Sequence, residues 1–390
     1  MIWAVAAIAL AAGLMGTHCM RYLAPRIGLV DAPDGVRKLQ TKAIPLGGGI
    51  AVFLAMFLGV IAAIAVDSQA AEELSVHSRA WIGFLCSCVT LLIVGLLDDW
   101  YELIARYKLL GQILAAVILV YGGDVVFDHV STFNYHFELD EFGYPITVVF
   151  LLFAINSLNL LDGMDGLLGT VGVVVCTALG IVAYITGQHL AAAVAVAMAG
   201  ALLGFLRYNL PPATIYLGDS GSMLVGLVIG ALCVKAALKS HAVATLVPMS
   251  VLVLPFLDTA AAVIRRKLTG RSMAHADRDH LHHVLLRRGL SIRKALVVVA
   301  LAGSVAGCGA VLSVVFVNEV IGLSVSLGVI VVLLCTGLFG NTELKLVGER
   351  VVTTARTVSG RSRHPGDSQL ALFATEPASS VSALPPTPSP

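Results

Sequence analysis

Residues 144–155 read YPITVVFLLFAI, residues 156–170 NSLNLLDGMDGLLGT, and residues 171–185 VGVVVCTALGIVAYI. The outer stretches are apolar enough to lie in lipid, whereas the middle one gathers two asparagines, two aspartates and three glycines. About twenty apolar residues carry a helix across a bilayer, so the polar stretch falls where one spanning helix ends and the next begins. Asn156, Asn159, Asp162 and Asp165 recur every third residue, along one stripe of a helix. Such a stripe can glue helices together, but two carboxylates in it are costly.

The rest of the chain extends this pattern. Of 390 residues, 58% are hydrophobic and 13% charged, with a mean hydropathy of +0.91. A soluble domain carries roughly twice that charge fraction, so the fold class is an all-α polytopic membrane protein. Eleven spans are expected, near 1–20, 45–66, 80–97, 108–123, 144–158, 167–186, 189–206, 222–238, 243–263, 295–316 and 320–340. Residues 124–143 form the sizeable loop, and their alternation predicts a short hairpin. The first twenty residues lack a basic start and a small-residue cleavage site, which predicts a retained span and not a cleaved signal. Residues 1–340 are expected to form the membrane domain. Residues 341–390 are expected to be a cytoplasmic tail, disordered from about 357 where Ser, Pro and Thr dominate. The seven cysteines all fall in apolar runs without metal-ligand spacing.

Alternating the spans places 22 of the 25 Lys and Arg on one side. The positive-inside rule makes that side cytoplasmic, with the N-terminus outside and the C-terminus inside. The formal net charge of +1 gives no sign of a nucleic-acid partner.

The unusual polar clusters share that cytoplasmic side. The third span ends in LLDDWYELIARYKLL, with Asp98, Asp99, Glu102 and Lys108; the eighth begins at YLGDSGSM, with Asp219 between glycines. After the ninth span comes RRKLTGRSMAHADRDHLHHVLLRRG, with Arg265, Arg271, His280, His282 and His283. Taken singly, Glu102 reads as a solvated helix end, Asp219 as a helix cap, and Arg265, Arg266 and Lys267 as topology anchors. Taken together, carboxylates and amides form an oxygen-rich pocket suited to a hard cation such as Mg²⁺. The cationic side chains around it suit phosphate oxygens. With no Walker A loop, the combination predicts phosphoryl transfer between a soluble nucleotide and a lipid.

GLVDAPDGVRK, IPLGGG, LLDDWYEL, YKLLGQ, NSLNLLDGMDGL, YLGDSGSMLVG and ADRDHLHH, in this order over residues 16 to about 290, resemble the polyprenyl-phosphate N-acetylhexosamine-1-phosphate transferases. The bacterial branch that makes undecaprenyl-diphosphate-GlcNAc for O-antigen, common antigen or teichoic-acid linkage is the nearest in pattern. The resemblance implies an enzyme of the bacterial inner membrane with its active site on the cytoplasmic face. Undecaprenyl phosphate would attack the β-phosphorus of a UDP-N-acetylhexosamine, most simply UDP-GlcNAc, and UMP would leave. It implies Asp219 and Asn159 as ligands of Mg²⁺, with Mn²⁺ able to satisfy the same atoms. It implies catalytic roles for Asp98, Asp99 and Lys108, one aspartate having been proposed as the base for the lipid phosphate. Substrate contacts would come from Lys38, Asn156, Asp162, Asp165, Arg265, Arg271, His280, His282 and His283. Gln40 stands where relatives tend to have the histidine of R-K-x-H, and Glu102 replaces a third aspartate. Asp258, in PFLDTAAAVIRR, also fits the pattern; a functional role and pairing with a basic neighbour are equal readings.

Two rivals remain open at the level of sequence. A transporter would place its polar groups near the bilayer midplane, usually with inverted repeats, and no repeat is visible. A CDP-alcohol phosphotransferase needs an A-R pair after D-G, where this chain has Leu167, Leu168, Gly169 and Thr170. The discriminating observation is whether Asp98, Asp99, Asn159, Asp219 and His280 share one cleft. Whether the chain forms a homodimer is not legible.

Overall fold

A computed structural model of the protein describes residues 2–33, 43–133, 135–238, 245–270 and 280–340. Lys38, Arg271 and the tail from 341 onward lie outside the described residues. Among the described residues, nine helices are long and apolar enough to cross a membrane. They are α1 (Ile2–Arg26), α2 (Gly48–Val66), α4 (Ser78–Tyr101), α5 (Ala105–Val117, prolonged by a π-turn at Ile118–Gly122), α6 (Gly143–Leu161), α7 (Leu167–Ile185), α8 (His189–Asn209), α9 (Gly218–Leu238) and α13 (Ile292–Val315). The short α3 (Ser68–Val76) and an apolar seventeen-residue helix, α14 (Glu319–Cys335), complete this set.

The expected span at 243–263 is not one helix. It divides into α10 (Leu246–Ser250) and α11 (Val253–Thr269). Proline lacks the N–H that continues a helix and is tolerated in a first turn. Pro248 and Pro255 each fall early in their helix, so two short helices satisfy both where one long helix would not. The predicted hairpin is present: β3 (His129–Thr132) pairs antiparallel with β4 (Tyr135–Glu138), with His129 opposite Glu138.

The bundle is built around α9. This helix is apolar on all sides and buried along almost its whole length, as expected of a central helix. Helices α2, α4, α6, α7, α8 and α10 pack around it. In lipid there is little hydrophobic gain from helix association, so close packing of small residues carries it. Helix α8 shows this, with Ala192, Ala193, Ala195, Ala197, Gly200, Ala201 and Gly204 buried on faces that meet α1, α2 and α7. Buried polar side chains are used as cross-links. Ser87 Oγ donates to the Ala115 carbonyl at 2.7 Å, and Asn156 Nδ2 donates to Gln112 Oε1 at 2.8 Å, tying α5 to α4 and α6.

Backbone bonds align the starts of α2 and α9. Strand β1 (Val30–Asp31) pairs with β2 (Ile44–Pro45), and the chain then runs alongside residues 216 and 217. The Tyr216 N–H donates to the Pro45 carbonyl, while the N–H groups of Gly48 and Gly49 donate to the carbonyls of Tyr216 and Leu217, at 2.9, 3.1 and 2.9 Å. The first N–H groups of a helix have no partner within it; here another motif supplies the acceptors. Two sequence motifs some 170 positions apart are thereby joined, and the helix ends that carry the polar clusters converge at one end of the bundle.

Candidate active site

That end contains a cavity of about 610 Å³. The residues lining it include Asp98, Asp99, Lys108, Asn159, Asp162, Asp165 and Asp219, all expected from the sequence, together with Asp31, Glu102, Asn209, Tyr216 and Ser222.

Asp219 is the hub. It stands in the first turn of α9, immediately after Gly218, whose φ of +77° only glycine adopts without strain. A side chain at Gly218 would also press its Cβ to 2.6 Å from Asp99 Oδ2. Asp219 Oδ1 accepts from Lys108 Nζ and from Asn159 Nδ2, each at 2.5 Å. Asn159 Nδ2 also reaches Ser222 Oγ at 2.7 Å. Lys108 Nζ lies 2.8 Å from Asp98 Oδ2 as well, so a single ammonium bridges carboxylates from α4 and α9.

The paired aspartates are not equivalent. Asp99 turns toward the start of α9, where its Oδ1 accepts the Asp219 N–H at 2.7 Å and its Oδ2 the Ser220 N–H at 3.2 Å. A carboxylate is favoured there both by the orphan donors and by the positive end of the helix dipole. Asp98 turns the other way, accepting the Leu103 N–H at 2.8 Å as α4 ends and engaging Lys108. This approach of α4 to α9 needs Gly95: a Cβ there would stand 2.2 Å from Ser220 Cα.

Asp165 Oδ2 accepts the Ala213 N–H at 2.9 Å, and Asn209 Oδ1 accepts the Gly166 N–H at 3.0 Å. These bonds hold the 162–166 loop against the loop before α9. Asn156 is not among the cavity-lining residues; its amide is spent on Gln112 and on the Leu152 carbonyl. Of the later stretch, Arg265, His280 and His282 are buried and His283 is half-buried; none of the four lines the cavity. His282 stands beside Gly163, which lines the cavity.

Asp31, Asn209, Tyr216 and Ser222 were not singled out from the sequence. Asp31 and Tyr216 lie within quoted motifs, and Ser222 is one turn beyond Asp219, so a helical projection of G-D-S-G-S would have found it. Asn209 had no such signal.

Charge is the unusual property of this cavity. Among the described residues lining it, seven are acids and the cation is Lys108. Desolvation, and then the carboxylates of Asp219, Asp99 and Asp165, hold the Asp162 carboxyl well above the ordinary carboxylate range. Burial, followed by Asp165, Asp31 and Asp162, pushes the Tyr216 phenol up to about 12. A raised carboxyl pKa means that ionising Asp162 opposes folding. Its contribution to stability is intact below the ordinary value near 3.9 and is lost as pH rises through the raised value. Asp162→Asn should therefore raise the thermal midpoint by a few degrees at pH 7.5 in EDTA and flatten its pH dependence between about pH 4 and 7.5. Fluorescence-monitored melting in detergent measures both, and equal pH profiles for the two proteins would refute the assignment.

Comparison with known proteins identifies the family. The model of "Glycosyl transferase family 4" matches residues 81–237. Over 300 residues, 76% of this chain and 81% of the relative, the sequence is 31% identical to the probable undecaprenyl-phosphate N-acetylglucosaminyl 1-phosphate transferase of Bacillus subtilis. It is 33% identical over 343 residues to the decaprenyl-phosphate N-acetylglucosaminephosphotransferase of Mycobacterium tuberculosis, covering 81% of this chain and 83% of that protein. The chain belongs to the polyprenyl-phosphate N-acetylhexosamine-1-phosphate transferases. A third member, the undecaprenyl-phosphate alpha-N-acetylglucosaminyl 1-phosphate transferase of Salmonella typhimurium, is 32% identical over 74% of this chain and 78% of its own. This transferase is a multipass membrane phosphotransferase. The matched region holds α4 to α9, which carry Asp98, Asp99, Lys108, Asn159, Asp162, Asp165 and Asp219. Membership excludes the transporter and the CDP-alcohol enzyme, and the acids cluster at one bundle end and not along a path through it.

Proposed function

We propose that this transferase moves N-acetylglucosamine 1-phosphate from UDP-GlcNAc to undecaprenyl phosphate on the cytoplasmic face of a bacterial inner membrane. The product would start a lipid-linked cell-envelope polysaccharide. The observation that carries this reading is the acid-lined cavity with Asp219, Asn159 and Lys108 joined at its floor. A diphosphate cannot settle against so many carboxylates unless a cation intervenes, and phosphoryl transfer is governed by charge neutralisation and positioning. The donor set fits Mg²⁺. Oxygen donors predominate among the residues lining the cavity, with Asp219 and Asn159 side by side. Mg²⁺ takes one or two carboxylates and leaves its other positions to water and substrate phosphate. Asp219 and Asn159 would hold it, with Mn²⁺ as a substitute, and when bound it would supply charge neutralisation at the diphosphate.

The chain's own groups divide the remaining work. Lys108 balances Asp98 and Asp219 and offers an ammonium to phosphate oxygens. Asp99 keeps the first turn of α9 fixed. Asp98, with one oxygen on Lys108 and the other on the Leu103 N–H, would serve as the carboxylate base when the acceptor phosphate arrives protonated. The acceptor oxygen forms a bond to the donor's β-phosphorus as the bridging oxygen leaves on UMP. One phosphoanhydride replaces another, so the reaction is expected to run in both directions. In the alternation read from the sequence, 22 of the 25 Lys and Arg fall in the same set of segments as Asp98, Lys108 and the 265–294 stretch, which supports a cytoplasmic site.

Membranes carrying the protein, incubated with UDP-[¹⁴C]GlcNAc, undecaprenyl phosphate and Mg²⁺, should yield lipid-extractable label and UMP. EDTA should suppress the label at least about 100-fold, and Mg²⁺ or Mn²⁺ should restore it. Label in lipid only with a different UDP-N-acetylhexosamine would reassign the donor, and full activity in EDTA would remove the metal from the reading.

A further inference from the structure

Asp258 lies in α11, about two turns before Arg265, and is 2% exposed. A buried carboxylate costs several kcal/mol unless its oxygens are occupied. Both are occupied, by residues more than twenty positions later. Oδ2 is 3.1 Å from His280 Nδ1, and Oδ1 accepts the Leu281 N–H at 2.8 Å.

These two bonds act on one short element. Leu281 opens α12 (Leu281–Arg287), and His280 is the residue just before it. Oδ1 therefore satisfies one of the orphan donors at the start of α12. Oδ2 accepts the proton on Nδ1 and so fixes the His280 tautomer and ring plane. The pair is itself out of water, His280 being 4% exposed.

The arrangement continues through His282, the second residue of α12. Its ring is parallel to that of His280, with centroids 6.0 Å apart and an interplanar angle of 5°. It is 2% exposed, and among the described residues neither ring nitrogen has a hydrogen-bond partner. Burial and then His283 lower its pKa to about 4, so the ring is neutral at physiological pH. Its Nε2 and Cε1 stand 3.0 Å from where a Cβ would project from Gly163, and Gly163 lines the acid cavity. A side chain at 163 would crowd the ring, so it is the glycine that lets His282 stand against this part of the cavity wall.

We propose that Asp258 is a positioning residue of the transferase. Without touching substrate, it holds His280 and the first turn of α12, and so sets the place of His282 beside Gly163 in the cleft wall. The proposal rests on the transferase reading above. The two separate cleanly, because wild-type membranes lacking any transfer would defeat that reading before a variant is made.

Asp258→Asn in the full-length protein is nearly isosteric and keeps one acceptor for the Leu281 N–H. It cannot take two N–H groups as the carboxylate does without turning its own N–H₂ on one of them. The expected result is a fall of about 10–100-fold in kcat/KM for the nucleotide sugar, in a protein that still melts cooperatively. Full kcat/KM would overturn the proposal. If the variant does not fold, two substitutions at His280 decide the matter. Asn carries an amide N–H near the place of Nδ1–H, whereas Gln carries one near Nε2. A positioning bond to Asp258 predicts that His280→Asn retains at least about 10-fold more kcat/KM than His280→Gln. The reverse order would mean that Nε2 is the functional atom and that the bond to Asp258 is incidental.

Discussion

Asp219→Asn should lower the rate of lipid-linked sugar phosphate formation by about 10³-fold, with protein level preserved. The substitution removes a charge but little volume, and Asn can still accept from Lys108. It leaves the other acids of the cavity in place. What it removes is the carboxylate at the meeting point of Lys108, Asn159 and the start of α9. Groups fixed in place ahead of the reaction contribute about 10²–10³-fold each when they stabilise developing charge. A group that also binds the required cation is expected at the upper end. The concentration of Mg²⁺ giving half-maximal rate should rise by at least about 10-fold in the same variant. In metal-free buffer the Asn protein should melt slightly below wild type, because Lys108 loses one of the two carboxylates it bridges. A rate within threefold of wild type would remove Asp219 from the centre of the site.

Replacing Lys108 by Met should produce an equally large loss of rate by a different route. Met keeps the length of the side chain and removes the ammonium that lies between Asp98 and Asp219. Breaking a fully buried ion pair by deleting one partner costs about 3–5 kcal/mol. Asp219 keeps 35% side-chain exposure, so solvent reduces the cost here to about 2–3 kcal/mol. The variant should therefore melt at a lower temperature than wild type in EDTA, and by more than Asp219→Asn, which leaves Lys108 paired with Asp98. Added Mg²⁺ should recover much of the thermal midpoint by screening the two carboxylates. It should not recover the rate, which is expected to fall at least about 100-fold. Lys108→Arg should be intermediate, since a guanidinium is always charged but too broad for a gap that holds one nitrogen 2.8 and 2.5 Å from two carboxylates. Recovery of the rate by Mg²⁺ in Lys108→Met would make the lysine a stabiliser of the fold alone.

Helix ends were read from composition to within a few residues for most spans, because lipid permits few alternatives to an apolar helix. The exception, 243–263, failed for a local reason: apolarity alone does not register how Pro248 and Pro255 divide a continuous stretch. The acids were also legible, since a carboxylate at a membrane edge needs a purpose. Their individual duties were not. Asp98 and Asp99 are neighbours in sequence and read alike, yet one engages Lys108 and the other caps α9, because successive residues on a helix point about 100° apart. Asn156 and Asn159 lie on one stripe, but only Asn159 reaches Asp219; Asn156 is one turn deeper and meets Gln112.

By itself, the sequence determined which side of the bundle is polar, which residue types gather there and which family they fit. Hydropathy, charge asymmetry and short motifs are all properties of contiguous residues. Tertiary structure alone decided that Tyr216 and Leu217 bind the start of α2, that one lysine serves two acids, and that Asp258 answers to His280 and not to a neighbour on its own helix. Each is a hydrogen bond or ion pair at about 3 Å between residues far apart in the chain, and such contacts are set by where helices cross, not by the local order of side chains.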